Sequence, residues 1–352
     1  MRKMLVIALL FLFICGSLIA SDLQETLEKL SGTAAEAYVS PIVSGFGTNL
    51  NGGWFHKSPK KKFLGLDFEL GIVAMVTPFK DEDDHFSTTG TFSFDRATAE
   101  SLAGNAPDEI FEATVDAIIS HEFTVEMYGP TIIGPKDEHV VIELLSQTIM
   151  VEIPGEEPQS VDISSTIIDL QEARGLLEDF DYLPLVAPQL AIGTVYGTQL
   201  SVRYLPAYEI EDLGEIAYIG FGLQHNPKAW LPLPLPVDFC LAAFTQSLDI
   251  GDIVKTNALS YGINVSKTFG MRMLSVTPYA GLMAESCTME FKYDYVLDIT
   301  EDEISHIKFE LDSENTSRLT LGSSFRVGVF NMNVDYNIGN YNSVTAGFAF
   351  AF

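Results

Sequence analysis

From Phe330 the chain places Phe330, Met332, Val334, Tyr336 and Ile338 at alternate positions, with Asn331, Asn333, Asp335 and Asn337 between them. Successive side chains of a strand point to opposite faces, so the segment has one apolar and one polar face; a helix of 3.6 residues per turn would mix the two. The same alternation runs through Leu190–Tyr204, Leu259–Val265 and Leu319–Val327, where the second face is small or polar, and through Leu64–Val76 in the first half. Turn formers such as Gly339-Asn340 and Asp249-Ile250-Gly251-Asp252 separate the segments. Further strands are predicted over about 85–95, 213–225, 236–248, 271–291 and 342–352, giving about ten, within a range of 8–14.

Alternation alone also describes a soluble sandwich, but three features favour an all-β, transmembrane antiparallel β-barrel. Many strands reach about ten residues, enough to cross a bilayer when tilted. Their polar faces carry Gly, Ser, Thr and Asn, which suit a lumen, and aromatics gather near strand ends at Tyr204, Tyr208, Trp230, Tyr293 and Tyr295. The last segment sets Val344, Ala346, Phe348, Phe350 and Phe352 on one face. In water, such an edge would invite aggregation. It looks like the terminal strand of outer-membrane barrels, which implies that Phe348, Phe350 and Phe352 form an assembly signal for the barrel-insertion machinery.

The beginning predicts export. Arg2 and Lys3 precede an apolar run from Leu5 to Cys15, and small residues lead to Ala20, the layout of a cleaved signal peptide over 1–20. No later stretch holds 18 uncharged apolar residues, so the 47% hydrophobic content is dispersed in short segments. The net charge of -28 excludes nucleic acid as a partner, because phosphate binding needs a basic surface. Cys240 and Cys287 fall in strand-like segments, where free buried thiols are expected.

Two regions depart from the strand pattern. Residues 21–60 begin with a predicted helix from Asp22 to about Tyr38, followed by Ser44-Gly45-Phe46-Gly47 and Asn49–Trp54, and read as a plug-like segment. After the first barrel strands, 61–95, residues 96–187 form an acidic α+β insert. It has a predicted helix from Pro107 to about Ser120, a strand over Val140–Ile153 and a helix over Asp169–Phe180. The remaining barrel strands occupy 188–352.

The stretches Ala37–Pro41, Asn49–Phe55, the strand from Leu64, Tyr128–Gly134, Gly220–His225 and the terminal Phe352 carry a resemblance. The chain resembles an uncharacterised family of bacterial outer-membrane proteins, distantly similar to the long-chain fatty-acid transporters. That resemblance implies an N-terminal segment plugging the barrel and a small hydrophobic ligand passing it.

No His-Glu-x-x-His, phosphate-binding glycine loop or Gly-x-Ser-x-Gly elbow occurs, so no enzyme activity and no cofactor or metal are expected. The acidic runs Asp81–Asp84 and Thr300–Glu303 lack calcium-loop spacing. Lys57, Lys60, Lys61 and Lys62 form a basic cluster before the first strand. Charged residues on the polar strand faces, Asp67, Glu69, Arg203, Glu285, Arg318 and Arg326, are the lumen candidates. They either set passage through the lumen or pair with one another to fill it. The expected function is an outer-membrane barrel, surrounded by outer-membrane lipid, that admits small hydrophobic molecules through a plugged lumen. The alternative is a structural or adhesion barrel whose insert binds a partner.

Overall fold

The computed structural model describes residues 32–60, 67–92, 96, 99–100, 103, 111–152, 158–163, 165–171, 173–210, 214–231, 234–251, 253–271, 273–296 and 304–352. The expected signal peptide, Lys61 and Lys62 lie outside them. In chain order the described elements open with α1 (Gly32–Asn51), β1 (Asp67–Pro78), β2 (His85–Phe92), α2 (Phe111–Ser120), β3 (Phe123–Pro130) and β4 (Val140–Leu144). Then come β5 (Gln147–Val151), β6 (Gln159–Ile163), β7 (Thr166–Leu170), β8 (Tyr182–Val195), β9 (Thr198–Ile210) and β10 (Gly214–His225). The rest are β11 (Asp238–Ile250), β12 (Val254–Ser266), β13 (Phe269–Met271), β14 (Leu274–Val296), β15 (Ile304–Asp312), β16 (Ser317–Val327), β17 (Phe330–Ile338) and β18 (Ser343–Ala351).

Ten of these strands close into an antiparallel barrel, in the order β12, β11, β10, β9, β8, β1, β18, β17, β16, β14, with β14 returning to β12. Closure joins the first strand to the last: Leu70 lies opposite Phe350 and Val76 opposite Val344. A closed ring leaves no unpaired edge, the condition for putting strands in lipid. Alternation then sorts the faces. Outside stand Leu190, Phe221, Leu259, Leu321, Met332 and Phe348, all exposed, as the apolar band that a bilayer covers. Inside stand Ser201, Gln246, Ser260, Thr320, Asn337 and Thr345, all buried. Between β8 and β9 the chain turns on Tyr196 and Gly197, both at positive φ (50° and 75°), as a two-residue hairpin turn demands. Trp230 stacks on Tyr196 at this rim, with ring centroids 4.9 Å apart. β14 runs past the ring, and its second half, from Thr288, pairs with β15. Both Cys240 and Cys287 are free and buried.

Contacts divide the chain into two compact units. One is the barrel with Val39–Asp81 and Asp179–Phe352; the other holds Glu82–Glu178 and the start of α1 up to Tyr38. In the second unit β2, β3, β4 and β7 form an antiparallel sheet, and β5 pairs with β6. The α2 helix buries Thr114, Val115 and Ile118 on one face.

Four sequence expectations change here. The strand expected at 85–95 in the barrel is β2, which pairs with β3 in the insert sheet, because alternation is the same in either kind of sheet. The strand over Val140–Ile153 is two, β4 and β5. Of the helix predicted over Asp169–Phe180, Asp169 and Leu170 belong to strand β7, drawn into the sheet by pairing with β4, and the described residues 173–180 form turns and bends. The first helix does not end at Tyr38 but continues through Pro41 to Asn51. Its glycines fit the close approach: a Cβ on Gly47 would sit 2.6 Å from Ser313 and 2.9 Å from Cys287. Close packing at the rim overrides weak helix propensity here.

Candidate functional site: the barrel lumen

The inner wall has two chemistries. On β17, Asn331, Asn333, Asp335 and Asn337 point inward, and they bond to inward groups of β14, β16 and β18. Thr320 donates to Asn337 (2.6 Å), Ser324 to Asn331 (2.9 Å), Asn337 to Asp335 (2.8 Å) and Tyr279 to Asp335 (2.8 Å). Across the ring, Ala242, Phe244, Tyr279 and Met283 form an apolar cluster with Trp54 and Phe55.

Those two aromatics belong to the stretch from Val39 to Lys60, which threads the ring from rim to rim. At one rim, Asn315, just before β16, donates to the Thr48 hydroxyl (2.8 Å). At the other, Asn226, just after β10, donates to the Pro59 carbonyl (2.7 Å). Between these points, Asn49 donates to the Leu183 carbonyl and accepts from Thr77. Asn51 donates to the Ser286 carbonyl (3.2 Å), and the Ser58 amide donates to Ser266 (2.9 Å). Trp54 stacks on Phe244 at 5.1 Å, and Phe55 meets Tyr279 edge-on at 5.9 Å. Glycines in the wall make this fit: a Cβ on Gly220 would lie 2.9 Å from the Trp54 ring, and one on Gly281 2.3 Å from Phe55.

Charged side chains complete the filling. The Arg203 guanidinium lies 4.0 Å over the Trp54 ring, and its Nε donates to Gln189 (2.9 Å). Arg318 pairs with Glu285 at 3.0 Å, both side chains at 1% exposure or less, and Arg318 also donates to the Asn51 carbonyl. Glu69 takes an ion pair from Lys57 and lies 3.0 Å from His56 Nε2. Buried charges without partners are costly, so each of these arrangements ties the threaded segment to the wall or the wall to itself.

Of the lumen candidates read from the sequence, Glu69, Arg203, Glu285 and Arg318 are buried inside the ring. Asp67 lies at the rim, 3.5 Å from Lys60. Arg326 sits at the end of the inner face and donates to the Gly328 and Ala351 carbonyls (3.0 and 2.9 Å). Phe348, Phe350 and Phe352 are exposed on the outer face. Sequence reasoning read the β17 asparagines as part of a lumen-suited polar face and Trp54 as part of the plug-like segment, but it singled out neither them nor His56 and Lys57 as lumen site residues. A signal was there in the inward glycines at 220 and 281, each of which leaves room for a ring of the threaded segment. A cavity of about 20 Å³ remains, lined by Gly53, His56, Glu69, Gln189, Asn333 and Gly347 among others.

The insert carries its own titratable cluster: His85 Nε2 lies 2.6 Å from Glu138, and Nδ1 2.8 Å from Asp84. Hydrogen bonds to Glu138 and then Asp84 hold the imidazolium and raise its pKa above the ordinary histidine value. The sign follows: the stabilisation is fully present below the unfolded-state pKa and is lost as pH rises through the folded-state value. In a proton NMR titration, Glu138→Gln is expected to move the His85 midpoint down. An unchanged midpoint would mean that the pairing is absent in solution. Among the described residues, no group of three or more His, Cys, Asp or Glu is placed to hold a metal ion.

A family model matches residues 1–352, and the chain belongs to that family, described as a family of unknown function (DUF6588). No curated protein matches it. Among solved structures it is similar to a loop L8 deletion mutant of OmpT, an outer membrane protein of Vibrio cholerae, at 10% identity and TM-score 0.23, over 82% of this chain and 99% of that one. A bacterial polysaccharide outer membrane secretin matches at 7% identity and TM-score 0.23, over 81% and 98%. A BenF-like porin from Pseudomonas fluorescens Pf-5 matches at 10% identity and TM-score 0.19, over 83% and 100%.

Proposed function

We propose that this family member is an outer-membrane conduit for small molecules, exported by a cleaved leader and held closed by residues 39–60 acting as a plug. The observation that carries the reading is the passage of that one segment through the ring from Thr48 at one rim to Pro59 at the other. A barrel needing only a filled interior has a simpler route, large side chains on its own inward faces. Here the wall instead presents glycine opposite Trp54 and Phe55, so the filling belongs to a separate stretch of chain. The sequence reading expected hydrophobic cargo, and the aromatic cluster supports it in composition. That cluster is packed tight, however, so the proposal is framed for small molecules without restriction to apolar ones. The outward Phe348, Phe350 and Phe352 support recognition of the last strand by the insertion machinery.

Conductance in a planar lipid bilayer tests the reading. The full chain is expected to be silent, and a chain with 42–59 replaced by a Gly-Ser linker of equal length is expected to conduct in proportion to salt. Folding of both is checked by resistance of the barrel to detergent at room temperature. A folded, linker-bearing barrel that stays silent overturns the proposal.

One observation favours a second reading, a barrel whose insert meets a basic partner. Residues 82–178 carry twenty-one Asp and Glu against three Lys and Arg. In that case the linker-bearing barrel retains partner binding and stays electrically silent.

A further inference from the structure

Resting on the conduit reading, we infer that the route for solute lies on one side of the plug only. It runs between Gly53–Lys57 and the wall made by β8, β1, β18 and β17, and it takes small, uncharged, hydrogen-bonding molecules. The cluster of Lys57 and His56 on Glu69 is the latch that keeps it shut.

Elsewhere the plug is packed on or bonded to the wall, and at the level of Leu50 it also packs on Val73, Met75, Leu185 and Ala187. Trp54 and Phe55 fill the space toward Phe244 and Tyr279. Asn51 is tied to Arg318, which is itself paired with Glu285. Ser58 is bonded to Asn264 and Ser266. On the remaining side the wall is built from Gly71, Ala191, Gly347 and Ala349, and there the cavity of about 20 Å³ opens. That volume is enough for one water, which needs roughly 10–15 Å³, and for nothing larger. Its polar lining is Gln189 and Asn333 from the wall and His56 and Glu69 from the latch.

The chemistry of the lining sets the class of solute. Asn333 belongs to the row Asn331, Asn333, Asp335 and Asn337 that extends along β17, facing Thr345 and Ser343 of β18. Amides and hydroxyls both donate and accept, so this strip replaces the water shell of a neutral hydroxyl- or amide-bearing molecule. It holds one carboxylate, Asp335, already bonded to Tyr279 and Asn337. The Glu69 charge is met by Lys57. Asp335 apart, the strip consists of neutral donors and acceptors, so it suits an uncharged solute better than an ion.

The latch sits at the Glu69 end of β1. Lys57, His56 and Glu69 join plug to wall by side chains alone, shortly after Gly53, whose φ of +67° goes with a close approach to the wall: a Cβ there would meet Val73 and Thr345 at 2.6 Å. Breaking those contacts releases the Lys57 end of the plug from the Glu69 end of β1, while Asn49 stays bonded to Thr77 at the other end of that strand and the Trp54 stack is undisturbed.

The test is swelling of liposomes holding the full chain in solutions of erythritol, arabinose and sucrose. Lys57→Met with Glu69→Gln keeps the side-chain volumes and removes the ion pair. It is expected to raise arabinose entry on the order of tenfold, the shift that loss of one partly buried pair gives a closed–open equilibrium. Sucrose stays outside. Adding Gly347→Val, or Ala349→Leu should that variant fail to fold, is expected to abolish the gain. Phe55→Ala, which removes more volume on the aromatic side, is expected to leave arabinose excluded. Equal entry through Phe55→Ala, or a gain that survives both fillers, overturns the lane. A latch variant that stays tight while the linker-bearing barrel conducts overturns the lane and leaves the conduit standing. Silence of both overturns the conduit reading itself.

Discussion

Replacing Arg318 by Met is expected to destabilise the barrel by about 3–5 kcal/mol, while replacing Arg318 and Glu285 together by Met costs far less than either single change. The side chains of the pair are 1% and 0% exposed and 3.0 Å apart. Inside the ring neither charge has bulk water to return to. Removing the guanidinium therefore leaves the Glu285 carboxylate buried with nothing to neutralise it, and that loss, more than the attraction forgone, sets the magnitude. The double variant removes both charges and keeps apolar volume at both positions. It still loses the hydrogen bond from Arg318 to the Asn51 carbonyl, worth about 1.5–3 kcal/mol for a charged donor, so it does not return fully to the wild-type value. Urea titration of the refolded barrel in lipid vesicles measures all four proteins in one cycle. Strictly additive single effects would mean that the two charges do not interact, and the account of the lumen as a paired network would fail.

That network shows where sequence reading reaches and where it stops. The ring strands were legible because lipid imposes the same rule at every outward position: Phe330, Met332 and Val334 alternate with asparagines whatever their neighbours in space are. The inner face obeys no such rule. Arg203, Glu285 and Arg318 could be recognised as inward from parity, but their partners are set by which strands adjoin and by the chain threaded between them. Arg203 lies over Trp54, 149 positions earlier, and Arg318 bonds to Asn51. Neither pairing has a local signature. The same limit explains β2, whose alternation said strand without saying which sheet. It explains α1 as well: Pro41, Gly45 and Gly47 argue for a break on propensity, and the helix persists through them as it packs closely at the rim, with small residues where it meets Leu183 and Ser313.

Trp54→Ala is expected to cost about 3–5 kcal/mol, and the loss is expected to shrink when a wall glycine is enlarged in the same chain. Trp54 is 1% exposed, stacked on Phe244, covered by Arg203, and anchored by its indole N–H to the Leu50 carbonyl at 3.1 Å. Truncation leaves a void in a ring whose hydrogen-bonded strands cannot collapse around it, the circumstance in which a cavity costs most. It also uncovers a buried guanidinium whose stacking on an indole contributes about 2 kcal/mol or more when desolvated. The wall offers the converse change. A Cβ added at Gly220 would meet the Trp54 ring at 2.9 Å, so Gly220→Leu alone forces the indole aside and destabilises. Together with Trp54→Ala, the leucine grows into the space the indole vacated, and the pair is expected to be more stable than either single variant. Side chains that merely share the lumen would give additive losses. A rescue would establish that the glycines on the inward face of β10 are there for the plug, and that wall and plug were shaped as one interface.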